Sequence, residues 1–145
     1  EGRIKYGFLF ETDDYYQLIN EEDIEIYKIL IFSTNTNQLK NTAAELVKID
    51  GLTVTSSGKG NIEINRSGIS KGNALETLLE KLQISLEETI AIGDNLNDVS
   101  MFEKAGLSVA MGNASDEIKR LCKDVSLTNE EDGVAHIIYK YMVQK

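Results

Sequence analysis

Apolar positions along the chain change rhythm near residue 67. Upstream, short apolar runs dominate: Lys5 to Phe10 and Tyr27 to Phe32 (YKILIF) read as strands, parted by the polar Glu21-Glu22-Asp23. Thr36 to Lys48 places Leu39, Ala43, Leu46 and Val47 on one helical face. Leu52 to Ser56 and Asn61 to Asn65 read as two strands around a Ser57-Gly58-Lys59-Gly60 turn. Downstream, helix and strand alternate. Ser70 can cap a helix whose Ala74, Leu75, Leu78, Leu79 and Leu82 follow the helical period. Ser85 and Glu88 have capping-box spacing, and Thr89 to Ile92 is a buried strand. A helix is expected over Asn97 to Ala105, stopped by a left-handed Gly106. Leu107 to Met111 and Val125 to Leu127 read as strands, with a helix from Ser115 to Cys122 between them. A closing helix from Gly133 to Tyr141 is expected to bury Val134, Ile137, Ile138 and Tyr141.

This order predicts an α/β fold with a mostly parallel sheet covered on both faces. In such sheets ligands collect at the carboxyl ends of the strands. The chain has no proline, so caps and glycines must set its helix ends.

Composition narrows the partners more than the fold. A net charge of −9 argues against a nucleic-acid backbone, although one lysine and a metal ion can still attract a phosphorylated small molecule. No apolar run approaches the ~20 residues of a membrane span, and no secretory leader is visible, so a cytoplasmic setting is expected. Cys122, the only cysteine, excludes an internal disulfide and reads as a half-buried small hydrophobe. His136 is the only histidine, on the closing helix, and reads as structural or surface. Tyr15, Tyr16 and Tyr27 read as packing residues of a strand-rich region.

The chemistry concentrates after the buried strand. In Thr89-Ile-Ala-Ile-Gly-Asp-Asn-Leu-Asn-Asp98, Gly93 permits a sharp turn and Asp94 falls just beyond the strand. Asp94 and Asp98 are four apart, so a helical turn lets both face one pocket and hold magnesium. Asn97, at the start of that turn, can meet phosphate oxygens. A polar turn with a helix cap would show similar residues. Lys71 shifts the balance, because a lysine in a helix's first turn opposes the helix dipole at a cost of roughly 0.3–1 kcal/mol. Carboxylates or a bound phosphate would offset that. Gly112-Asn113-Ala114 reads as a turn that could also border the site.

The stretches SGISKGNALETLLEKL, IAIGDNLNDVSMFEKAG, SVAMGNASDEIK and TNEEDGVAHII, in this order, resemble the C-terminal half of a haloacid dehalogenase superfamily phosphatase. The closest resemblance is to the Cof-type group, which carries a large α/β cap; Val54 to Gly58 and Ile62-Glu-Ile64 are similar to the end of that cap. The resemblance implies a Rossmann-like core over residues 67–145 and the second part of a cap over residues 1–66. It implies Mg²⁺ as cofactor and a small phosphorylated metabolite as substrate. By position, Lys71 is similar to the lysine that contacts phosphate and nucleophile, and Asp94 to the magnesium ligand. Asn97 is similar to the phosphate-binding asparagine, and Asp98 to an acidic residue supporting metal or lysine.

The family's reaction also needs an Asp-x-Asp-Gly-Thr segment, whose first aspartate attacks phosphorus while the second serves as general acid and base. This chain contains no Asp-x-Asp-Gly. Glu11 and Asp13 form an acid-x-acid pair after an apolar run, but glutamate's extra methylene would misplace the attack, an error that can cost ~10²-fold. Ser33 and Thr34 follow a strand as a phosphate-binding serine would, yet that strand is similar to a cap strand. A fragment without its nucleophile is the expectation, inactive alone and prone to self-association through an unpaired sheet edge. A non-catalytic remnant acting as a binding module is the alternative. The phosphorylation domain of an ion-pumping ATPase shares the Gly-Asp-x-x-Asn-Asp loop, but the cap-like first third speaks against it.

Overall fold

The computed structural model describes residues 26–143, together with Arg3–Ile4, Gly7–Phe8, Asp14, Gln17 and Asn20. The expected strand over Lys5 to Phe10 is represented by β2 (Gly7–Phe8), paired antiparallel with β1 (Arg3–Ile4). Its other residues, with Glu11, Asp13, Tyr15 and Tyr16, lie outside the described set.

The upstream unit is a three-stranded antiparallel sheet with a helix against one face. β3 (Ile29–Phe32) and β4 (Leu52–Thr55) flank the central β5 (Asn61–Arg66). α1 (Thr36–Leu46) starts at Asn35, whose side chain accepts the Gln38 N–H at 3.1 Å. Strand alternation divides the sheet. Ile31, Leu52, Val54, Ile62 and Ile64 form an apolar cluster with Leu39, Ala43 and Leu46 of α1. Thr53, Thr55, Glu63 and Asn65 occupy the alternate positions. Val47, expected on the packed face, is exposed, because α1 stops one residue before it.

The downstream unit is a parallel sheet in the order β6 (Ile90–Gly93), β7 (Leu107–Ala110), β8 (Asp124–Val125). α2 (Lys71–Leu82) precedes it, capped by Ser70, whose hydroxyl accepts the Asn73 N–H at 3.1 Å. α3 (Val99–Phe102) and α4 (Asp116–Leu121) follow β6 and β7. Ala91, Phe102, Ala105, Ala110, Ala114 and Ile118 make the core here, with Cys122 packed at its margin. Burial pushes the Cys122 thiol pKa up.

Three expectations need correction. The helix foreseen from Asn97 to Ala105 is a 3-10 turn (Leu96–Asp98) running into the short α3, because the Asp98 carboxylate tightens the turn. Gly106 is not left-handed: the positive-φ glycines among the described residues are Gly51 and Gly68. Instead, a Cβ at position 106 would sit 2.1 Å from the Glu87 carbonyl oxygen, so glycine is needed for close packing. In the closing segment, α5 (Gly133–Ile138) passes into a π-helical turn, Tyr139–Val143. Of its foreseen core residues only Ile137 is buried; Val134, Ile138 and Tyr141 are exposed. α2 is similar: Leu79 is buried, while Leu78 is 53% and Leu82 56% exposed. Their period is helical, but no covering layer lies over them among the described residues.

Candidate active site

The site forms where β6 ends and α2 begins. Lys71, first residue of α2, donates from Nζ to Asp98 Oδ1 at 2.5 Å. The other oxygen, Asp98 Oδ2, accepts the backbone N–H groups of Asp94 at 3.0 Å and Asn95 at 3.1 Å. Asp98 is 4% exposed, so a buried carboxylate is paired with a half-exposed ammonium and two amides, as burial of a charge demands. Gly93 is required here for a different reason from the one foreseen. A Cβ on it would lie 2.5 Å from Asp98 Oδ2, so its lack of a side chain admits the carboxylate.

Asp94 is half-buried at the carboxyl end of β6. Its Oδ1 accepts Asn95 Nδ2 at 2.9 Å and its Oδ2 accepts Asn113 Nδ2 at 3.1 Å. Asn113, placed after β7, also accepts the Asn129 N–H at 3.1 Å, tying two strand-end loops together. By sequence Asn113 reads chiefly as a turn residue. Its position at the end of the strand next to β6 was the available signal. Asn95 carries no sequence signal of its own beyond its place in the same loop.

Asn97 sits in the 3-10 turn, and its N–H donates to the Ser56 carbonyl at 3.3 Å, across to the antiparallel unit. Lys71 and Asn97 line a cavity of about 290 Å³ together with Lys28, Thr55, Glu63 and Asn65 of the antiparallel unit and its entry. Asp94 and Asp98 are not among the lining residues. The Asp98 carboxylate is held by Lys71 and the amides of its own loop, whereas the Asp94 carboxylate is held by Asn95 and Asn113. Ser33 accepts the Asn35 N–H at 3.1 Å through its hydroxyl at the start of α1. His136 and Tyr27 are exposed.

No group of three or more His, Cys, Asp or Glu side chains converges on a metal position among the described residues. The donor set still suits a magnesium ion held in part: one carboxylate, Asp94, with its remaining lone pairs open to a cation, and room for water and phosphate oxygens. Further protein ligands would have to come from another segment. No helix among the described residues is long and apolar enough to cross a membrane.

A parallel sheet that carries a lysine-to-carboxylate clamp at its strand ends, beside a separate antiparallel sheet, defines an α/β fold with one shared cavity. The chain belongs to the haloacid dehalogenase-like hydrolases, whose family model matches residues 3–138, and within them to the Cof-type group. It is 45% identical over 130 residues to phosphatase YwpJ of Bacillus subtilis, covering 90% of this chain and 43% of that protein. It is 39% identical over 140 residues to the 5-amino-6-(5-phospho-D-ribitylamino)uracil phosphatase YcsE of the same organism, covering 97% and 47%. Among solved structures, a haloacid dehalogenase-like hydrolase from B. subtilis superposes with a TM-score of 0.81 at 43% identity, covering 90% of this chain and 46% of that one. The chain spans about half the length of the curated relatives it matches.

Proposed function

We propose that these residues are one part of a magnesium-dependent phosphomonoesterase site acting on a small phosphorylated metabolite. The observation that carries this reading is the Lys71–Asp98 clamp, which fixes an ammonium at the carboxyl end of β6 beside Asp94 and Asn97. In this reading Lys71 and Asn97 bind phosphate oxygens, and Lys71 offsets negative charge that grows on them in the transition state. Asp98 holds Lys71 and the loop in place. Asp94 is the carboxylate that would hold Mg²⁺, which supplies charge neutralisation and orientation of the phosphoryl group when bound. Residues 1–66 serve as cap and 67–145 as core. The substrates in the relatives' names make a phosphorylated metabolite reasonable for this chain too.

Without an Asp-x-Asp-Gly segment the chain supplies no attacking carboxylate, so the polypeptide of residues 1–145 binds phosphate but does not turn over. Two measurements test this. Purified protein with Mg²⁺ should show no p-nitrophenyl phosphate hydrolysis above buffer; clear turnover abolished by Asp94→Ala would refute the inactivity. Amide shifts on titration with inorganic phosphate and Mg²⁺ should be lost in Lys71→Met. A binding module unrelated to phosphate, the second reading that the missing nucleophile favours, predicts no such shifts.

A further inference from the structure

The wall of the cavity opposite Lys71 holds an acidic group that the clamp does not use. Glu63 is the middle residue of β5's polar face, yet it is 5% exposed. A glutamate on a solvated sheet face would not be buried, and a buried carboxylate is costly unless paired. Lys28 pairs with it, donating from Nζ to Oε2 at 2.7 Å. That bond, then the Ser57 hydroxyl, holds the Glu63 carboxyl below its usual range, with Lys71 adding a smaller effect in the same direction. The group is therefore ionised at neutral pH and acts only as an acceptor. A carboxylate offers about four lone-pair positions, and Lys28 and Ser57 account for two of them. Thr53, Thr55 and Asn65 add hydroxyls and an amide to the same wall.

We propose that Glu63 is a specificity-determining residue of this site: with phosphate held by Lys71 and Asn97, its carboxylate accepts a hydrogen bond from a hydroxyl or amine on the group esterified to that phosphate. The inference rests on the phosphatase reading above. The cavity of about 290 Å³ lies at the small end of ligand sites, which suits a small esterified group. A negative charge on that group would face Glu63 and be rejected. A site built around an acceptor also discriminates against an analogue that lacks the matching donor, because the buried group is left unpaired.

Three probes of shared phosphate chemistry separate the possibilities in Mg²⁺-containing titrations of residues 1–145 followed by amide shifts. Inorganic phosphate reports the Lys71 end alone. Glycerol 3-phosphate carries hydroxyls, and n-propyl phosphate has the same carbon chain without them. Glycerol 3-phosphate should bind about tenfold more tightly than n-propyl phosphate, as one charge-assisted hydrogen bond predicts. Glu63→Gln should cut that preference several-fold and Glu63→Leu should erase it, with inorganic phosphate affinity not weakened in either. The near-isosteric glutamine keeps the test valid should the leucine variant fail to fold. Equal binding of the two esters to the wild-type chain, or a preference that survives Glu63→Gln in full, overturns the role of Glu63. Failure of inorganic phosphate itself to bind overturns the phosphate site, and this inference with it.

Discussion

Asp98 divides its two oxygens between the Lys71 ammonium on one side and the Asp94 and Asn95 amides on the other. Asparagine could serve one side but not both, since its amide nitrogen must then face either a cation or two N–H donors. Asp98→Asn should therefore destabilise the chain by roughly 1.5–3 kcal/mol, the range for a lost charged hydrogen bond. Urea unfolding would show this as a lower midpoint with the slope unchanged. An unchanged midpoint would mean that the clamp contributes nothing to the fold. The residues of the clamp were legible in the sequence because a strand-end Gly-Asp-x-x-x-Asp loop and a first-turn lysine are each locally odd. What spacing could not show was direction. A four-residue interval allows both carboxylates to share partners, and only the hydrogen bonds show Asp98 held by Lys71 and the loop amides and Asp94 by Asn95 and Asn113. Glu63 was hidden for a related reason, since an acidic residue at an alternate strand position reads as solvated until a facing wall is known.

Elements were read well where a cap or a period marked them. Ser70 and the run to Leu82 gave α2 its N-terminus and length, and Asn61 to Asn65 gave nearly all of β5. The closing segment was read less well. Its apolar period extends to Tyr141, but α5 gives way at Tyr139 to a π-helical turn that sequence period does not signal. That turn is joined to β8 by a polar contact. Asp124 Oδ2 accepts Lys140 Nζ at 2.7 Å and the Tyr141 hydroxyl at 2.6 Å. Lys140, then Tyr141, brings the Asp124 carboxyl down to about 2 from its ordinary 3.8. A depressed carboxylate stabilises the folded chain above its unfolded pKa and loses that effect as pH falls through the folded value. Thermal melts should thus show Asp124→Asn below wild type at pH 6, with the gap closing between pH 3.8 and about 2. Added salt should narrow the gap, because the contact lies near the surface. A gap that does not shrink at all between pH 6 and pH 2 would assign the effect to packing.

Among the described residues, the parallel sheet is paired on only one side of β6, and apolar side chains stand exposed on α2 and on the closing segment. Leu78 and Leu82, one turn apart, form a continuous stripe of the kind that drives association. We expect residues 1–145 to self-associate: light scattering should show mass rising with concentration, and Leu78→Lys with Leu82→Lys should suppress the rise. A strict monomer at high concentration would rule this out. The antiparallel sheet has the opposite character, since its two sides are assigned to different tasks. Leu52, Val54, Ile62 and Ile64 secure α1, while Thr53, Thr55, Glu63 and Asn65 alternate with them and carry little of that packing. The positions of Thr53, Thr55 and Asn65 can consequently vary without rebuilding that cluster, while the buried Glu63 is tied to Lys28. A lineage, or a library at these three positions, can change the polar face of the sheet on an unchanged frame.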